Sequence, residues 1–192
     1  MANAAGISWG VERAPALRPE FDAMEAGYVT SRDHALLFCV GGFANQYEQT
    51  SPVIQILDTA RSEWRKHAAQ RLPVGMGVTH QGLAMDPHRN LIYLVSGQPT
   101  AGCGPPTTRS AGWSWDEQCL RIRSDSRADL PLLCGSFHEL PPLPRARYAP
   151  AVAIHSNGSH SLALHVMAGF NEARNASANE HWRLPLDTWL DT

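Results

Sequence analysis

An apolar segment that ends in small residues and glycine occurs three times in this chain of 192 residues. The three copies read LLFCVGG from Leu36, LIYLVSG from Leu91 and LALHVMAG from Leu162. Each copy follows another strand-like segment, and the turn signals Asp86-Pro87 and Asn157-Gly158 separate two of these pairs. Each repeat therefore predicts an antiparallel hairpin whose second strand ends in a tight, closely packed turn.

The residues after the first hairpin extend it to four strands. The segment VIQILD, from Val53, predicts a third strand, and SEWRKH, from Ser62, predicts a fourth. Four antiparallel strands in a repeated unit are typical of a propeller blade. We expect one domain over residues 1–192, with a first blade at about 8–70, a second at 71–142 and a third, incomplete one at 143–192.

The second unit is the longest, because residues 99–135 are rich in Pro, Gly, Ser, Thr and Arg. Within the second unit we interpret CLRIRS, from Cys119, as the third strand and GSFHELPP, from Gly135, as the fourth. The residues before them are then a long exposed loop. Trp113 and Trp115 either lie in an irregular surface insertion or serve as exposed aromatic anchors of a binding loop.

These features resemble kelch repeats, in which an apolar strand, two glycines, an aromatic position and a tryptophan recur in a unit of about 50 residues. The positions that carry the resemblance are Gly41, Gly42, Trp64, Gly97, Gly169 and Trp182. The glycine pair is degenerate in the second and third repeats. The resemblance implies an all-β fold, a partial kelch β-propeller of about three four-stranded antiparallel blades.

A finer resemblance covers roughly residues 15–186. Segments such as THQGLAMD, LPPLPRARYAPA and LHVMAGFNEARN are similar to plant and green-lineage, membrane-anchored kelch-repeat proteins with a galactose-oxidase-like fold. The propeller of that group is longer than this chain, and closed propellers have four to eight blades. A three-blade arc leaves open edges, so we expect the chain to be a truncated gene model, a fragment or a subunit that closes by self-association.

Composition excludes several classes of partner. The net charge is -2 and 18% of residues are charged, so we expect no nucleic-acid partner. The sequence contains no run of about 18 apolar residues, so we expect no direct membrane insertion by this chain. The first residues lack the features of a signal peptide. The resemblance and two N-glycosylation sequons, at Asn157 and Asn175, favour a secretory lumen or the cell exterior.

The four cysteines lack the spacing of a metal site, and we expect neither metal nor cofactor. Cys39 lies inside an apolar strand and is interpreted as a small buried hydrophobe. Cys103, Cys119 and Cys134 allow one disulfide in an oxidising compartment, and the sequence leaves the pair open.

Candidate binding residues lie where one unit leads into the next. The segment PRARYAP places Arg145, Arg147 and Tyr148 there, and His80 is assigned the matching position one repeat earlier. They either bind a polar ligand or fix the turn between blades. Gln98, directly after the second glycine turn, is a further candidate.

Two groups of polar residues raise the question of catalysis or metal binding. Glu180 and His181 are adjacent, as an acid and a base would be, but alternate residues of a strand point to opposite faces. We therefore expect them to contact different neighbours. His155, His160 and His165 flank one hairpin and are interpreted as scattered polar surface.

The function that follows is a non-enzymatic interaction module that presents propeller loops to a protein partner. The alternative is a carbohydrate-binding or carbohydrate-modifying domain, because Trp113 and Trp115 are suited to stacking on sugars. In that case the ligand is a glycan. The copper site of galactose oxidase requires two histidines and two tyrosines, and no such set is recognisable here. A likeness of scaffold does not imply a shared activity.

Overall fold

The strands of the protein alternate with tight turns in a computed structural model that describes residues 27–30, 36–44, 48–64, 70–86, 89–102, 104–115, 135–156 and 162–187. The described strands are β1 (Gly27–Thr30), β2 (Leu36–Val40), β3 (Phe43–Ala44), β4 (Gln49–Thr50), β5 (Val53–Asp58), β6 (Glu63–Trp64), β7 (Gln70–Arg71), β8 (Gly82–Asp86), β9 (Leu91–Val95), β10 (Ser110–Trp115), β11 (Gly135–Leu140), β12 (Ala151–Ser156), β13 (Leu162–Met167) and β14 (His181–Pro185). None of the described residues lies in a helix that is long and apolar enough to cross a membrane.

The first blade is an antiparallel sheet in the order β1-β2-β5-β6, and β7 pairs with the other end of β5. A two-stranded extension, β3-β4, follows the glycine turn. The predicted third and fourth strands are confirmed, because VIQILD forms β5 and the EW of SEWRKH forms β6. In this pairing Trp64 lies opposite Leu57.

The second blade has the order β11-β10-β9-β8 and corrects one prediction. Its third strand is β10, with the sequence SAGWSW, which pairs with both β9 and β11. Residues predicted as part of an exposed loop therefore form a central strand of the blade. The segment CLRIRS lies outside the described residues, and GSFHEL forms the fourth strand, β11, as predicted.

The third blade contains the strands β12, β13 and β14 in that order within the described residues. Trp182 lies on β14, opposite Val166 of the second strand. It is therefore on the third strand of its blade, whereas Trp64 is on the fourth strand of the first blade. The assignment of Trp182 as the tryptophan equivalent to Trp64 was wrong, because the chain reaches β14 directly from the loop that follows the glycine turn.

The innermost strands of the three blades lie side by side, with β8 in contact with β1 and with β12. Two apolar cores fill the spaces between blades. The first core includes Phe38 and Ile56 of blade 1 and Ile92 and Trp113 of blade 2. The second, between blades 2 and 3, includes Tyr93, Val95, Leu140, Leu164, Val166 and Leu186.

The buried strand β9 explains why its sequence, LIYLV, is apolar at every position. Ile92 and Leu94 face the first core, whereas Leu91, Tyr93 and Val95 face the second. All five side chains are buried, because blade 2 is packed on both faces. In β12, by contrast, exposed and half-buried residues alternate at the start of the strand, because one face of blade 3 is open.

The glycine turns lie against the linkers that carry the chain from one blade to the next. A Cβ atom on Gly41 would lie 2.0 Å from the carbonyl oxygen of Val78, and Gly42 donates its N–H to that oxygen at 2.5 Å. In the next repeat Gly97 donates its N–H to the carbonyl of Arg147 at 3.0 Å. Glycine is required because the two backbones approach too closely for a side chain.

The structure also shows which residues take the place of the glycine pair in the second and third repeats. Ser96-Gly97 and Ala168-Gly169 follow β9 and β13 directly, as Gly41-Gly42 follows β2. All six residues have positive φ angles, with 56° at Ser96 and 54° at Ala168. The Ser96 hydroxyl is hydrogen bonded to the Thr107 carbonyl at 2.6 Å and to the backbone of Arg147, which offsets its strained backbone.

We predict that Gly97→Ala destabilises the chain by at least about 2 kcal/mol, because Gly97 has a φ of 89° and a Cβ there would lie 2.7 Å from the backbone of Gln81. Thermal denaturation followed by circular dichroism measures the effect. Ala168→Gly is the matched control at an exposed turn, where the midpoint should stay unchanged or rise. An unchanged midpoint in Gly97→Ala would contradict the proposed role of the close approach.

Candidate functional site

Six of the nine candidate residues lie at one end of the arc, where the second strands end and the linkers begin. We call this end the linker face, and its candidate residues are His80, Gln98, Arg145, Arg147, Tyr148 and Glu180. Tyr148 is its centre. The backbone of Tyr148 pairs with Phe170, and its hydroxyl donates a hydrogen bond to the Gly104 carbonyl at 2.7 Å. Tyr148 is buried and so acts as a fixed platform at this end of the arc.

Arg174 lies on this platform. The guanidinium carbon of Arg174 is 3.9 Å from the centre of the Tyr148 ring, and one of its nitrogens donates to Oε1 of Gln98. Gln98 is itself fully buried, and its amide nitrogen donates to the carbonyls of Thr100 and Gly102, each at 2.5 Å. The guanidinium is therefore held in place by both stacking and hydrogen bonding.

The loop that carries Arg174 is closed by its own side chains. The side-chain amide of Asn171 donates to Oδ1 of Asn175 at 2.8 Å, and Asn175 N–H donates back to Oδ1 of Asn171 at 3.2 Å. Arg174 is exposed to solvent. Among the described residues, no carboxylate forms an ion pair with it.

A second arginine, Arg147, is used within the fold. It is 3% exposed, and its Nη2 lies 2.8 Å from Oε2 of Glu180. Its Nη1 donates to the Ala146 carbonyl at 2.9 Å, and the guanidinium carbon lies 4.8 Å from the ring centre of Trp182. A buried charge needs such partners, and the result is a structural tie between the linker and blade 3.

Arg145 shares the same carboxylate but remains largely in solvent. Its Nη1 is 3.4 Å from Oε1 of Glu180, and its side chain is 71% exposed. Hydrogen bonds from the Glu180 backbone N–H and then from Arg147 hold the pKa of the Glu180 carboxyl below its usual value of 4.5. Glu180 therefore stays ionised and paired at neutral pH.

His80 lies beside the platform between two aromatic rings. Its ring centre is 6.2 Å from that of Phe43 and 6.1 Å from that of Tyr148, both edge to face. The hydrogen bonds of the glycine turns identify its counterpart in the next linker. Val78 and Arg147 are equivalent, since each accepts a hydrogen bond from the second residue of a glycine turn, and His80 is then equivalent to Ala149.

The structure contradicts both interpretations of Trp113 and Trp115, because they lie neither in an irregular surface insertion nor in an exposed binding loop but in the first core. Trp113 is 1% exposed and Trp115 is 6% exposed. Both rings contact Phe38 of blade 1, with ring centres 5.7 Å and 4.8 Å away. The two tryptophans are buried because β10 is a central strand whose side chains fill the gap between blades.

Glu180 and His181 contact different neighbours, as expected, although Glu180 directly precedes β14 rather than lying in it. Nε2 of His181 is 2.8 Å from Nδ1 of His165, and the two rings are stacked. Partial burial, and then the nearby His181, His155 and Arg183, lower the pKa of His165 below 6.5. The histidines of blade 3 were expected to be scattered, but His155, His165 and His181 form a row, while His160 lies outside the described residues.

The outcome for the remaining predicted residues differs with their location. Cys39 is buried as predicted, whereas Cys103, Cys119, Cys134 and Asn157 lie outside the described residues. Asn175 is exposed. In the described ranges, no group of three His, Cys, Asp or Glu side chains is arranged to hold a metal ion.

Arg174 and Phe170 were missed by the sequence analysis. Phe170 is 49% exposed and follows Gly169, just as Phe43 follows Gly42 and Gln98 follows Gly97. The residue directly after each glycine turn therefore lies on the linker face. Its place after the third turn could have identified Phe170 from the sequence. Nothing in the local sequence marks Arg174, because its partner Gln98 is 76 residues away.

Comparison with known proteins confirms the resemblance to kelch-repeat proteins and the propeller fold. No protein-family model matches the chain. The chain is 28% identical over 191 residues to the kelch repeat-containing protein At3g27220 of Arabidopsis thaliana, covering 92% of this chain and 38% of that protein. The solved structure of YjhT, a kelch-type propeller, superimposes with a TM-score of 0.52 at 9% identity, covering 82% of this chain and 50% of that one. The chain therefore spans half or less of the length of each of these two proteins.

We predict that Glu180→Gln lowers the thermal midpoint at neutral pH, and that its difference from the native chain disappears in acid. The lowered pKa means that the ionised carboxylate stabilises the folded state above pH 4.5, and that this contribution is lost as the pH falls through the folded-state pKa. Thermal melts of both chains over a pH series measure the difference in midpoint. Glu172→Gln, at an exposed carboxylate, is the control. A difference that persists unchanged at low pH would contradict the ion pair.

Proposed function

We propose that this partial kelch propeller is a non-enzymatic binding module whose linker face captures an acidic segment of a partner protein. Kelch-repeat proteins generally bind protein partners, and this chain is similar to a kelch repeat-containing protein over 92% of its length. The observation that carries the proposal is the guanidinium of Arg174, which is held in place, exposed and, among the described residues, without a carboxylate partner.

The chemistry of Arg174 favours a carboxylate ligand. A guanidinium presents five N–H donors in a planar fork that matches a carboxylate, and the hydrogen bond from Arg174 to Gln98 uses one of its nitrogens. Its stacking on Tyr148 is already in place before any ligand arrives. A side chain that is already ordered loses less conformational entropy on binding, so more of its interaction energy contributes to affinity.

The surroundings of Arg174 favour a peptide that carries both acidic and apolar side chains. Arg145 adds a second exposed positive charge to this end of the arc. Phe170, which pairs with the platform residue Tyr148, exposes 49% of its surface and offers an apolar contact. Arg147 contributes by holding Glu180 rather than by meeting the ligand.

The carbohydrate alternative has less support. It depended on Trp113 and Trp115 as a stacking platform, and both are buried in the core between blades. Sugar acids nevertheless share the carboxylate that Arg174 is suited to bind. They therefore belong in the same binding experiment as competitors.

Binding of fluorescent peptides, measured by polarisation, tests the proposal. Peptides that combine Glu or Asp with apolar residues should bind, and matched peptides with Gln or Asn should bind much more weakly. Arg174→Ala should weaken binding at least tenfold, since a hydrogen bond to a charged group contributes about 1.5–3 kcal/mol. Arg71→Ala, at an exposed arginine on β7, is the matched control and should change little.

Three outcomes would contradict the proposal. Equal binding of acidic and amide peptides would exclude carboxylate recognition. An equal loss in Arg174→Ala and Arg71→Ala would indicate attraction by net charge alone. Binding of hexuronic acids, with no binding of any peptide, would favour the carbohydrate alternative.

A further inference from the structure

We propose that His165 and His181 form a binding site for a transition-metal ion of the Cu²⁺, Ni²⁺ or Zn²⁺ class, on the side of blade 3 that faces away from blade 2. This site is separate from the linker face, and the proposal does not depend on the function proposed for that face.

The two sides of blade 3 differ in chemistry. On one side Val152, Ile154, Leu164, Val166, Trp182 and Leu184 pack into the second core. The residues that alternate with them face the other way, and they include His155 on β12, His165 on β13 and His181 on β14. All three of these histidines are exposed or half-buried, so a dissolved ion can reach them.

Strand register brings the three histidines into a diagonal row. His165 pairs with Ala153 on one side and with Arg183 on the other. His155 and His181 are each two residues away from those pairing partners, which makes each of them a diagonal neighbour of His165. The row follows from pairing across three strands rather than from any local spacing in the sequence.

The distance between two imidazole nitrogens is close to what one ion requires. Nδ1 of His165 and Nε2 of His181 are 2.8 Å apart. Two nitrogens bound to one tetrahedral Zn²⁺ are about 3.3 Å apart, given Zn–N distances of about 2.0–2.1 Å. A small rotation of the exposed rings opens this gap, and the ion then takes the place of the shared proton between the two nitrogens.

His155 is the nearest further ligand. Its ring centre lies 5.9 Å from that of His165, at an interplanar angle of 81°. The two rings meet edge to face, and no three described side chains form a ready metal site. Water completes the coordination in the simplest arrangement, since the face is open to solvent.

The charge of the face decides which metal is favoured. Arg183 lies directly opposite His165 on β14 and repels a cation. An ion must therefore gain strongly from the imidazole nitrogens, and Cu²⁺ binds such ligands most tightly among the divalent ions of its row. We expect Cu²⁺ to bind more tightly than Ni²⁺ or Zn²⁺.

Titration of the 192-residue chain with Cu²⁺, followed by calorimetry and by electron paramagnetic resonance, tests the site. We expect one ion per chain with two imidazole nitrogens coordinated. His165→Gln and His181→Gln should each weaken binding at least tenfold, because loss of an outer hydrogen bond alone costs 10–100-fold at protein metal sites. His138→Gln is the matched control, since His138 is exposed on β11 and is hydrogen bonded to Ser114 and Ser136.

A second measurement needs no variant. Paramagnetic Ni²⁺ added to the native chain should broaden the amide NMR signals of β13 and β14 while leaving those of β11 sharp. Cu²⁺ binding that is unchanged in both histidine variants, or broadening centred on the amino terminus or on His138, would overturn the proposal. Absence of any binding of Cu²⁺ by the native chain would overturn it as well.

Discussion

The close approach between the strand-end glycines and the interblade linkers determines how each blade lies against the next. Gly41 leaves no room for a Cβ beside Val78, and Gly97 leaves none beside Gln81. The amides of Gly42 and Gly97 bond to carbonyls of successive linkers. With this spacing fixed, the side chains of neighbouring blades meet in the two apolar cores, and the linker residues reach their places around Tyr148.

Two neighbouring arginines acquire opposite roles from this arrangement. Arg147 is buried by the linker, so its charge has to be compensated by Glu180 within the protein. Arg145 lies two residues earlier and projects into solvent. Arg174 reaches the same end of the arc from the loop after the third glycine turn, where Tyr148 and Gln98 hold it. The fold thus fixes one cation as part of the framework and leaves two exposed to solvent.

Much of the architecture follows from local pattern. The hairpins, the strands β5 and β11 and the glycine turns were predictable, because apolar runs and turn residues mark them directly. The strand β10 was missed, since its sequence, SAGWSW, alternates tryptophan with small residues and lies in a stretch rich in glycine and proline. Its burial depends on Phe38 in another blade, a contact that no local periodicity reveals. The contact of Arg174 with Gln98 was likewise not predictable, because it joins residues 76 positions apart. The row of histidines was not predictable either, because it depends on the register of three strands.

The ties between linkers and turns use backbone atoms. Gly42 and Gly97 donate N–H groups to the carbonyls of Val78 and Arg147, and Ala149 donates to the carbonyl of His80. Because carbonyls are common to every amino acid, these ties place no demand on the exposed side chains of the linkers, such as Arg145, which can be exchanged without rebuilding the blades. New specificities can therefore arise on an unchanged frame, and one fold can be shared by chains of very different sequence, as the structural match at 9% identity illustrates.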